Sequence, residues 1–404
     1  MARNLMGKMH IHIGHKVGVD EIFSYVHVRS KSEPEFKISI YDMYKKNSLH
    51  TNKISNSIVV LLSCFLRPKC KKKYVFWGTK FKDLILTLPR EDVLVIGGPK
   101  QLLFCMVNQI SFRPALTLWS PIYKYMRGNL GDIREIEDAA LEIFEDISRY
   151  WSEISYFIIE NDSLPIQRLM IIFAKKFGIS EVICLQHGVF QRSSPNYVLD
   201  GWWCDRFFAI DFGQYDVLVD AGVPQEKIVV MGFHSEVYKP QRAMSEPKYR
   251  KCCILGQPWV RYGKEKGDKY LLIVKRLVDT LQKHGYAVTF KPHPWENGLK
   301  YLKDFESIER RGLNSAIEDY DVFLSLTSTA LFQAAWSGRL SVQVFDDIFE
   351  CDHFNSLGPK CCIDFNDDHF EYDLIDTISS KLIGAESRVR PVSERFLGAL
   401  RKVT

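Results

Sequence analysis

Several patterns that define large protein classes are missing from this sequence of 404 residues. Its ten cysteines include no Cys-x-x-Cys pair, and Cys252 and Cys253 lie in an apolar run. This argues against a secreted disulfide scaffold and predicts reduced, buried thiols. No Gly-x-Gly-x-x-Gly motif is present to support a nicotinamide or flavin site. The longest apolar stretch, roughly 58–66, falls well short of the about 18 residues that a membrane-spanning helix needs.

A strong net charge and a signal peptide are also missing. Lysine and arginine number 54 against 49 aspartate and glutamate, and the net charge of +5 is too small to indicate a nucleic-acid partner. The first residues, MARNLMGKMH, lack the apolar core of a signal peptide. We therefore expect a cytoplasmic protein that binds no nucleic acid. The 46% hydrophobic and 25% charged residues are typical of a globular protein, and the length predicts two or three domains.

The sequence does contain a series of short apolar runs separated by amphipathic segments. Most of these runs lack clean alternation, which is typical of strands buried on both faces of a parallel sheet. The predicted strands are 93–96, 155–159, 182–185, 207–210, 228–231, 252–255, 287–290, 322–326 and 342–345. The predicted helices are 133–151, 164–177, 213–221, 268–284, 329–337 and 371–383. Strands that alternate with helices predict a doubly wound α/β fold.

A polar stretch at 235–251, with two prolines and little to bury, divides the chain. We predict an N-terminal domain at 1–235, a linker at 236–250 and a C-terminal domain at 251–404. Two such domains leave a cleft between them, and open α/β sheets bind ligands beyond the carboxyl ends of their strands. The functional residues are therefore expected directly after the strands.

The sharpest motif is Lys-Pro-His-Pro at 291–294, which follows a predicted strand. The flanking prolines hold the chain extended and present the His293 imidazole at the strand end. A histidine beside Lys291 is suited to a phosphate oxygen. We predict that Lys291, His293 and Pro294 belong to a donor-phosphate site. The alternative is a surface turn with an incidental histidine.

A second candidate is the hydroxyl cluster Thr327, Ser328 and Thr329, which lies between a buried strand and a helix. The free N–H groups of a helix start and the hydroxyl side chains together favour an anion, so the cluster predicts phosphate binding. The alternative is a plain helix cap, which needs only one hydroxyl. Gly256 and Gln257, at the end of the first strand of the second domain, are also predicted donor-nucleotide contacts.

The first domain offers candidates for a catalytic base and for the acceptor side. Gln186, His187 and Gly188 follow a predicted strand, and Glu160 and Asp162 follow another. Gly188 permits a close approach of the acceptor, and a histidine with a usual pKa of about 6.5 suits proton transfer at neutral pH. We predict His187 as the base, with Asp162 second and Glu160 as a further candidate, and Gln186 and Gly188 on the acceptor side. The alternatives are a structural histidine in a turn and, for Asp162, a helix cap.

Other patterns are weaker. The Asp-Tyr-Asp triplet at 319–321 and the histidine cluster at 10–15 contain metal-ligating residue types. The triplet precedes a strand and the cluster has no cysteine nearby, so we predict no metal and no cofactor. The basic run 69–73 is most simply a solvated strand end, and the basic tail 386–404 a helix that packs on the first domain. The alternative for both is peripheral contact with an anionic membrane.

The order of these motifs resembles that of bacterial capsule and lipopolysaccharide glycosyltransferases of the GT-B class. The motifs are Gln-His-Gly at 186–188, a glycine that closes a strand at 232, Leu-Gly-Gln-Pro at 255–258, the Lys-Pro-His-Pro motif and the hydroxyl cluster. The sequence is most similar to the polysialyltransferase and lipooligosaccharide sialyltransferase group and the related Kdo transferases, over about 158–345. In that group a His-Pro motif and a Ser/Thr motif bind the CMP part of the donor. An acidic pair followed by glycine supplies the base there, and 211–213 is a poor match to it.

The resemblance implies two Rossmann-like domains that face a cleft, with a last helix that packs back on the first domain. It also implies an inverting, metal-independent transfer of an acidic sugar from a CMP-linked donor to a capsule or lipopolysaccharide glycan or glycolipid. By resemblance, His293, Pro294 and the hydroxyl cluster bind the CMP. Three alternatives stay open: a teichoic-acid-type transferase of CDP-alditols, a GT-B transferase of UDP- or GDP-sugars, and a non-catalytic nucleotide- or glycan-binding module.

Overall fold

The computed structural model describes residues 53–126, 133–160, 165–188, 203–296, 298–349, 353–354, 357, 360–380 and 390–401. The elements below are numbered within these ranges. Asp162, the histidine cluster at 10–15 and part of the basic tail lie outside the described residues.

Two parallel β-sheets form the framework of the described residues. The first contains β1 (Lys72–Trp77), β2 (Val93–Gly97), β3 (Ser111–Pro114), β4 (Trp151–Ile159), β5 (Glu181–Leu185), β6 (Arg206–Ala209) and β7 (Ile228–Val230), in the order β3-β2-β1-β4-β5-β6-β7. The second contains β8 (Lys251–Leu255), β9 (Ala287–Lys291), β10 (Val322–Ser325), β11 (Leu340–Phe345) and β12 (Cys362–Asp364), in the order β12-β11-β10-β8-β9. All of these strand pairs are parallel.

Helices connect the strands, as parallel pairing requires a crossover from one strand to the next. The described helices are α1 (Lys53–Ser63), α2 (Lys82–Thr87), α3 (Pro99–Asn108), α4 (Leu116–Met126), α5 (Ile133–Ser148), α6 (Pro165–Lys176), α7 (Phe212–Asp220), α8 (Lys264–Lys283), α9 (Leu313–Asp319), α10 (Ala330–Trp336), α11 (Phe370–Ser379) and α12 (Val392–Arg401). Short 3₁₀ turns lie at Cys64–Leu66, Arg90–Asp92, Gln225–Lys227, Pro247–Tyr249, Pro258–Arg261, Pro294–Glu296, Lys300–Asp304 and Asp347–Phe349.

Both faces of each sheet are covered, because alternate residues of a strand point to opposite faces. In β1, Val75 and Trp77 join one hydrophobic core, while Tyr74 and Phe76 join another. The residues of β8 divide between two further cores in the same way. Burial on both faces explains why the strands consist of continuous apolar runs. The predicted doubly wound α/β architecture is confirmed.

One predicted boundary is wrong. Trp151 was predicted as the last member of the apolar stripe of α5, but that helix ends at Ser148 and Trp151 is the first residue of β4. There it pairs with Lys72 of β1. A large apolar residue fits both patterns, and the backbone pairing of two distant segments decides between them.

The last described helix packs on the first sheet, although it follows the second sheet in the chain. Val392, Phe396, Ala399 and Leu400 of α12 lie on one helical face and join the core that contains Tyr74. The two sheets lie on either side of the segment 236–250, whose bounds as a linker stay a prediction. Among the described helices, none combines the length and the apolar content that crossing a membrane requires.

Candidate functional site

Each sheet has one point at which the chain order of its strands reverses. It lies between β1 and β4 in the first sheet and between β8 and β10 in the second. A crevice forms there at the carboxyl ends, because the connections on its two sides leave in opposite directions, and open α/β sheets bind ligands at this point. The residues that follow these strands are Gly78, Thr79, Lys80 and Glu160 in the first sheet, and Gly256, Gln257 and Thr327 in the second.

His187 follows β5, beside the first crevice, and is half-buried. Its Nδ1 lies 2.8 Å from the backbone carbonyl oxygen of Glu160. Because a carbonyl only accepts, Nδ1 carries the proton and the neutral ring presents an unprotonated Nε2. Burial lowers the pKa of His187; the Glu160 charge opposes this shift and the Lys80 charge adds to it. The imidazole is therefore neutral at pH 7 and able to accept a proton at Nε2.

His293 follows β9 of the second sheet and has the opposite tautomer. The backbone N–H of Trp295 donates to His293 Nδ1 at 3.2 Å, so the neutral ring carries its proton on Nε2. Burial, and then the charge of Lys80, lowers the pKa of His293. At neutral pH the ring therefore offers an N–H donor beyond the strand end, which suits a phosphate oxygen.

The charge of Lys80 acts on histidines at the carboxyl edges of both sheets. It follows β1 of the first sheet and is exposed. Burial lowers the pKa of His187 and His234 beside the first sheet and of His293 beside the second, and the Lys80 ammonium group lowers each of these pKa values further. Interactions between charges are screened over a length of about 10 Å at moderate salt. The Lys80 charge therefore lies close enough to histidines beside both sheets to affect their protonation.

His234, in the segment after β7, contacts the loop of His187. Its side chain is 6% exposed and donates a hydrogen bond to the backbone of Gln186. Its Nδ1 is buried and has no hydrogen-bond partner among the described residues. Burial, followed by repulsion from His187 and Lys80, lowers the pKa of His234 to about 3. A second neutral imidazole therefore supports the loop of the predicted base.

A side-chain bridge joins the two strand ends at the second crevice. Gln257 Oε1 accepts from the Thr327 backbone N–H at 3.0 Å, from the Thr327 hydroxyl and from Trp259 Nε1 at 3.1 Å. Because these three donors share Oε1, they fix the orientation of the Gln257 amide, and its Nε2 points away from them. The structure thus brings together Gln257 and Thr327, two of the predicted donor-site residues.

Gly256 packs directly on the loop that carries His293. Its backbone N–H donates to the carbonyl of Lys291 at 2.7 Å. A Cβ at this position would overlap Glu296 Oε2 and lie 2.7 Å from Phe290 Cζ. The glycine is therefore needed for the close approach of the two loops.

The Gly256→Ala variant is expected to lose about 1–3 kcal/mol of unfolding free energy, because the new Cβ forces Glu296 and Phe290 to shift. Chemical denaturation measures this loss. The control is Gly188→Ala, where a Cβ would meet no described atom within 4 Å and a change within about 0.5 kcal/mol is expected. Equal midpoints for the two variants would contradict the close packing at Gly256.

The other predicted donor-site residues have contacts of their own. Lys291 Nζ donates to the backbone carbonyl of Arg311. Ser328 Oγ accepts from a backbone N–H at the start of α10 at 3.3 Å, and Thr329 is the N-cap residue of that helix without a side-chain cap bond. Pro294 is exposed and begins a 3₁₀ turn. Their roles in nucleotide binding stay predictions.

On the predicted acceptor side, the amide of Gln186 forms hydrogen bonds with other residues of the protein. Its Nε2 donates to the Gly188 carbonyl at 2.7 Å and to Gln214 Oε1 at 2.5 Å, and its Oε1 accepts from the Ile210 N–H at 2.9 Å. No described atom lies within 4 Å of the position that a Cβ of Gly188 would take. Asp211, in the poor match to an acidic pair, caps α7 by accepting from Gln214 N at 2.8 Å. The predicted acceptor contacts of Gln186 and Gly188 stay predictions.

Three residues of this site were not found from the sequence: Lys80, His234 and Glu296. Each follows a strand, as expected of site residues, and Glu296 lies three positions after His293. Position after a strand was the available signal, but it also marks many loop residues without a role. Their importance depends on which loops of the two sheets meet.

No protein-family model and no curated protein matches the chain. Solved structures match it at low identity. UDP-GlcNAc 2-epimerase of Methanocaldococcus jannaschii, in complex with UDP-GlcNAc and UDP, matches with a TM-score of 0.50 and 13% identity, over 81% of this chain and 99% of that chain. HepE of Anabaena, in complex with UDP and glucose, matches with a TM-score of 0.51 and 12% identity, over 82% and 100%. UDP-N-acetylglucosamine 2-epimerase of Rickettsia bellii gives 0.50 and 14%, over 82% and 96%.

These likenesses, together with the two doubly wound parallel sheets, show the class of fold. The chain has the two-domain α/β GT-B fold, as the sequence predicted. The likeness extends over most of both chains and so includes both sheets. At 12–14% identity, this likeness shows only the fold.

Proposed function

We propose that this protein is a glycosyltransferase that takes a UDP- or GDP-linked sugar as donor. A capsule or lipopolysaccharide glycan or glycolipid is the proposed acceptor, and the cytoplasm or the inner membrane surface the proposed location. The UDP and UDP-GlcNAc named for the matching structures support this donor class over the CMP-linked donor that the sequence resemblance implies. This was one of the alternatives left open by the sequence.

The observation that carries the proposal is the electrostatic effect of Lys80 on both His187 and His293. The Lys80 ammonium group acts on His293, whose neutral ring carries an N–H donor, and on His187, whose Nε2 is unprotonated. Fixed positive charge and donors of this kind stabilise a leaving group that gathers negative charge, such as a nucleoside diphosphate. An imidazole base suits removal of a proton from an acceptor hydroxyl.

In the proposed reaction the acceptor oxygen attacks the anomeric carbon of the donor sugar. The new glycosidic bond forms as the bond from that carbon to the phosphate oxygen breaks, so one displacement inverts the configuration. The acceptor proton passes to Nε2 of His187, and the electron pair leaves with the diphosphate. Lys80 and His293 stabilise the charge on the departing phosphate.

Epimerisation of the nucleotide sugar is the second candidate, because two of the matching structures are UDP-GlcNAc 2-epimerases. An epimerase converts one UDP-sugar into another without a glycan acceptor. A transferase consumes the donor and releases UDP or GDP in proportion to the glycan formed. Chromatography of nucleotide products with and without acceptor separates these two functions.

Donor class is tested by thermal shift with UDP, GDP, CMP and CDP. A nucleotide at 100 times its dissociation constant stabilises the folded state by about 2.7 kcal/mol, so UDP or GDP should raise the melting temperature and CMP should not. A larger shift with CMP or CDP than with UDP and GDP would overturn the proposed donor.

His293→Ala should weaken binding of the nucleotide by about 1.5–3 kcal/mol, tenfold or more in Kd, because one donor to the phosphate is lost. Calorimetry measures Kd directly. The matched control is His284→Ala, at the exposed histidine that directly follows α8 in the same domain. Equal affinities in the two variants would leave the Lys-Pro-His-Pro motif with a structural role only.

A further inference from the structure

A buried carboxylate lies behind the loop that carries His293. Glu296 is 0% exposed, so it is out of reach of a ligand in the cleft. One of its oxygens accepts from the His293 backbone N–H at 2.6 Å. The other accepts from the Tyr270 hydroxyl at 2.9 Å and from the Tyr301 hydroxyl. A simple surface turn would not require a buried carboxylate that accepts from three donors.

The same cluster holds the loop of the neighbouring strand. The Tyr270 hydroxyl, which donates to Glu296, accepts in turn from the Gln257 backbone N–H at 2.9 Å. Gly256, next to Gln257, lies so close to Glu296 Oε2 that a side chain there would overlap it. Glu296 is therefore linked to the backbone of both loops at the second crevice, one after β8 and one after β9.

We propose that Glu296 is the positioning residue of the nucleotide site, which it shapes by fixing the backbones of His293 and Gln257. This inference rests on the proposed function for the identity of the ligand. The tautomer of His293 places its ring proton on Nε2, and the contacts of Gln257 Oε1 turn the Gln257 Nε2 away from Thr327. Fixing both backbones sets the spacing of these two N–H donors, which would bind neighbouring phosphate oxygens.

The chemistry of the cluster requires a carboxylate, because both oxygens of that group accept. Burial raises the pKa of Glu296, and the hydrogen bonds from Tyr301, His293 and Tyr270 oppose this shift. Glutamine has the same shape but replaces one acceptor by an NH₂ group, which would face either the His293 N–H or the tyrosine hydroxyls. A single amide substitution therefore removes the link between the two loops while filling the same volume.

The first test is the nucleotide affinity of Glu296→Gln by calorimetry. We expect a Kd for UDP or GDP about tenfold weaker or more, from the loss of buried charge-assisted hydrogen bonds. The control is Glu318→Gln in the same domain, at a half-buried glutamate that accepts from the Tyr238 hydroxyl at 3.0 Å and from the Gln241 backbone N–H at 2.9 Å. It should leave Kd within about twofold of wild type. Equal losses in both variants would overturn the specific role of Glu296.

The second test needs no nucleotide and so separates this proposal from the proposed function. In ¹⁵N NMR of the imidazole rings, His293 of wild type should show the single tautomer protonated at Nε2, assigned by its absence in His293→Ala. Glu296→Gln should give a mixture of tautomers, because the loop that brings Trp295 N–H to Nδ1 is no longer held. An unchanged His293 spectrum would overturn the proposal. A changed spectrum in a protein that binds no nucleotide would support the positioning role and overturn the proposed function.

Tyr270→Phe is the second variant, in case Glu296→Gln does not fold. It removes one hydroxyl that donates to Glu296 and accepts from Gln257, so it should reproduce both effects in weaker form. Tyr301→Phe removes a donor to Glu296, and in the described contacts its hydroxyl makes no direct hydrogen bond to the Gln257 backbone. A greater loss of nucleotide affinity in Tyr301→Phe than in Tyr270→Phe would contradict the coupling of the two loops.

Discussion

Replacement of His187 by alanine is expected to lower kcat by about 10²- to 10⁴-fold, with nucleotide affinity within about twofold of wild type, as for loss of a general base. The Glu160 carbonyl fixes the proton on Nδ1, and Nε2 is then the ring atom that can take the acceptor proton. The proposed phosphate contacts are those of Lys80 and His293, and this change leaves both residues in place. The measurement is sugar transfer at saturating donor, together with calorimetry of nucleotide binding.

Two further variants decide whether the effect belongs to His187. His369→Ala changes an exposed histidine at the start of α11, far along the chain from the first crevice, and should keep the wild-type kcat. Asp162→Asn changes the second predicted base. If Asp162→Asn loses activity and His187→Ala keeps it, the base is Asp162 and the role assigned to His187 is wrong.

The pH profile gives an independent measure of the same group. Burial lowers the pKa of His187 from the usual 6.5, and the base works only when unprotonated. The rate of the wild-type enzyme at saturating donor should therefore stay constant as the pH falls through about 6.5 and decline only below it. A decline already centred near 7 or above would mean that another group controls the rate.

Most strands of this fold could be predicted from the sequence because they are buried on both faces. The runs that became β2, β5, β8 and β10 are almost wholly apolar and were recognised as strands. The central strand β1 was missed because it opens with lysines, although Lys72 is only 3% exposed. Its Nζ donates to the Glu91 carbonyl at 2.5 Å, and its aliphatic stem is covered. The short strands β3 and β12 lie at sheet edges and offer too few residues for a pattern.

The candidate site was predictable only one sheet at a time. His187, Gln257, His293 and Thr327 were each found because they follow an apolar run, and strand ends bind ligands in this architecture. The role proposed for Lys80 depends on the effect of its charge on a histidine beside the other sheet. No spacing along the chain encodes that interaction, since the two residues are separated by more than two hundred positions.

The triplet at 319–321 illustrates the same limit within a few residues. Asp319 pairs with Arg311 on the surface, at 44% side-chain exposure. Asp321 is fully buried and accepts from Arg242 Nη2 at 2.8 Å. Two carboxylates two positions apart thus make different contacts, because Asp319 lies on the surface and Asp321 is buried where it accepts from the segment 236–250.

Replacing Asp321 by alanine is expected to lower the unfolding free energy by about 3 kcal/mol. This is the lower end of the range for a broken buried ion pair, since Arg242 is partly exposed. Besides Arg242, Asp321 accepts from the backbone N–H groups of Ser245 and Lys251, both at 2.9 Å. It therefore holds the segment that precedes β8 against the second sheet, and its loss leaves two partly buried N–H groups without this acceptor. Urea unfolding monitored by tryptophan fluorescence measures the change.

Asp319→Ala is the matched control, and its unfolding midpoint should lie close to that of wild type because the lost ion pair is exposed.

The pKa of Asp321 determines how its contribution to stability depends on pH. Burial raises the pKa of Asp321, but the bonds from Lys251, Ser245 and Arg242 together outweigh it and hold the pKa below the usual 3.8. The stability that the charged group contributes is therefore present above about pH 4 and lost as the pH falls through the lower folded value. The difference between wild type and Asp321→Ala should be constant from about pH 5 to 8 and shrink in stronger acid. A difference that grows on acidification would contradict a carboxylate stabilised by these donors.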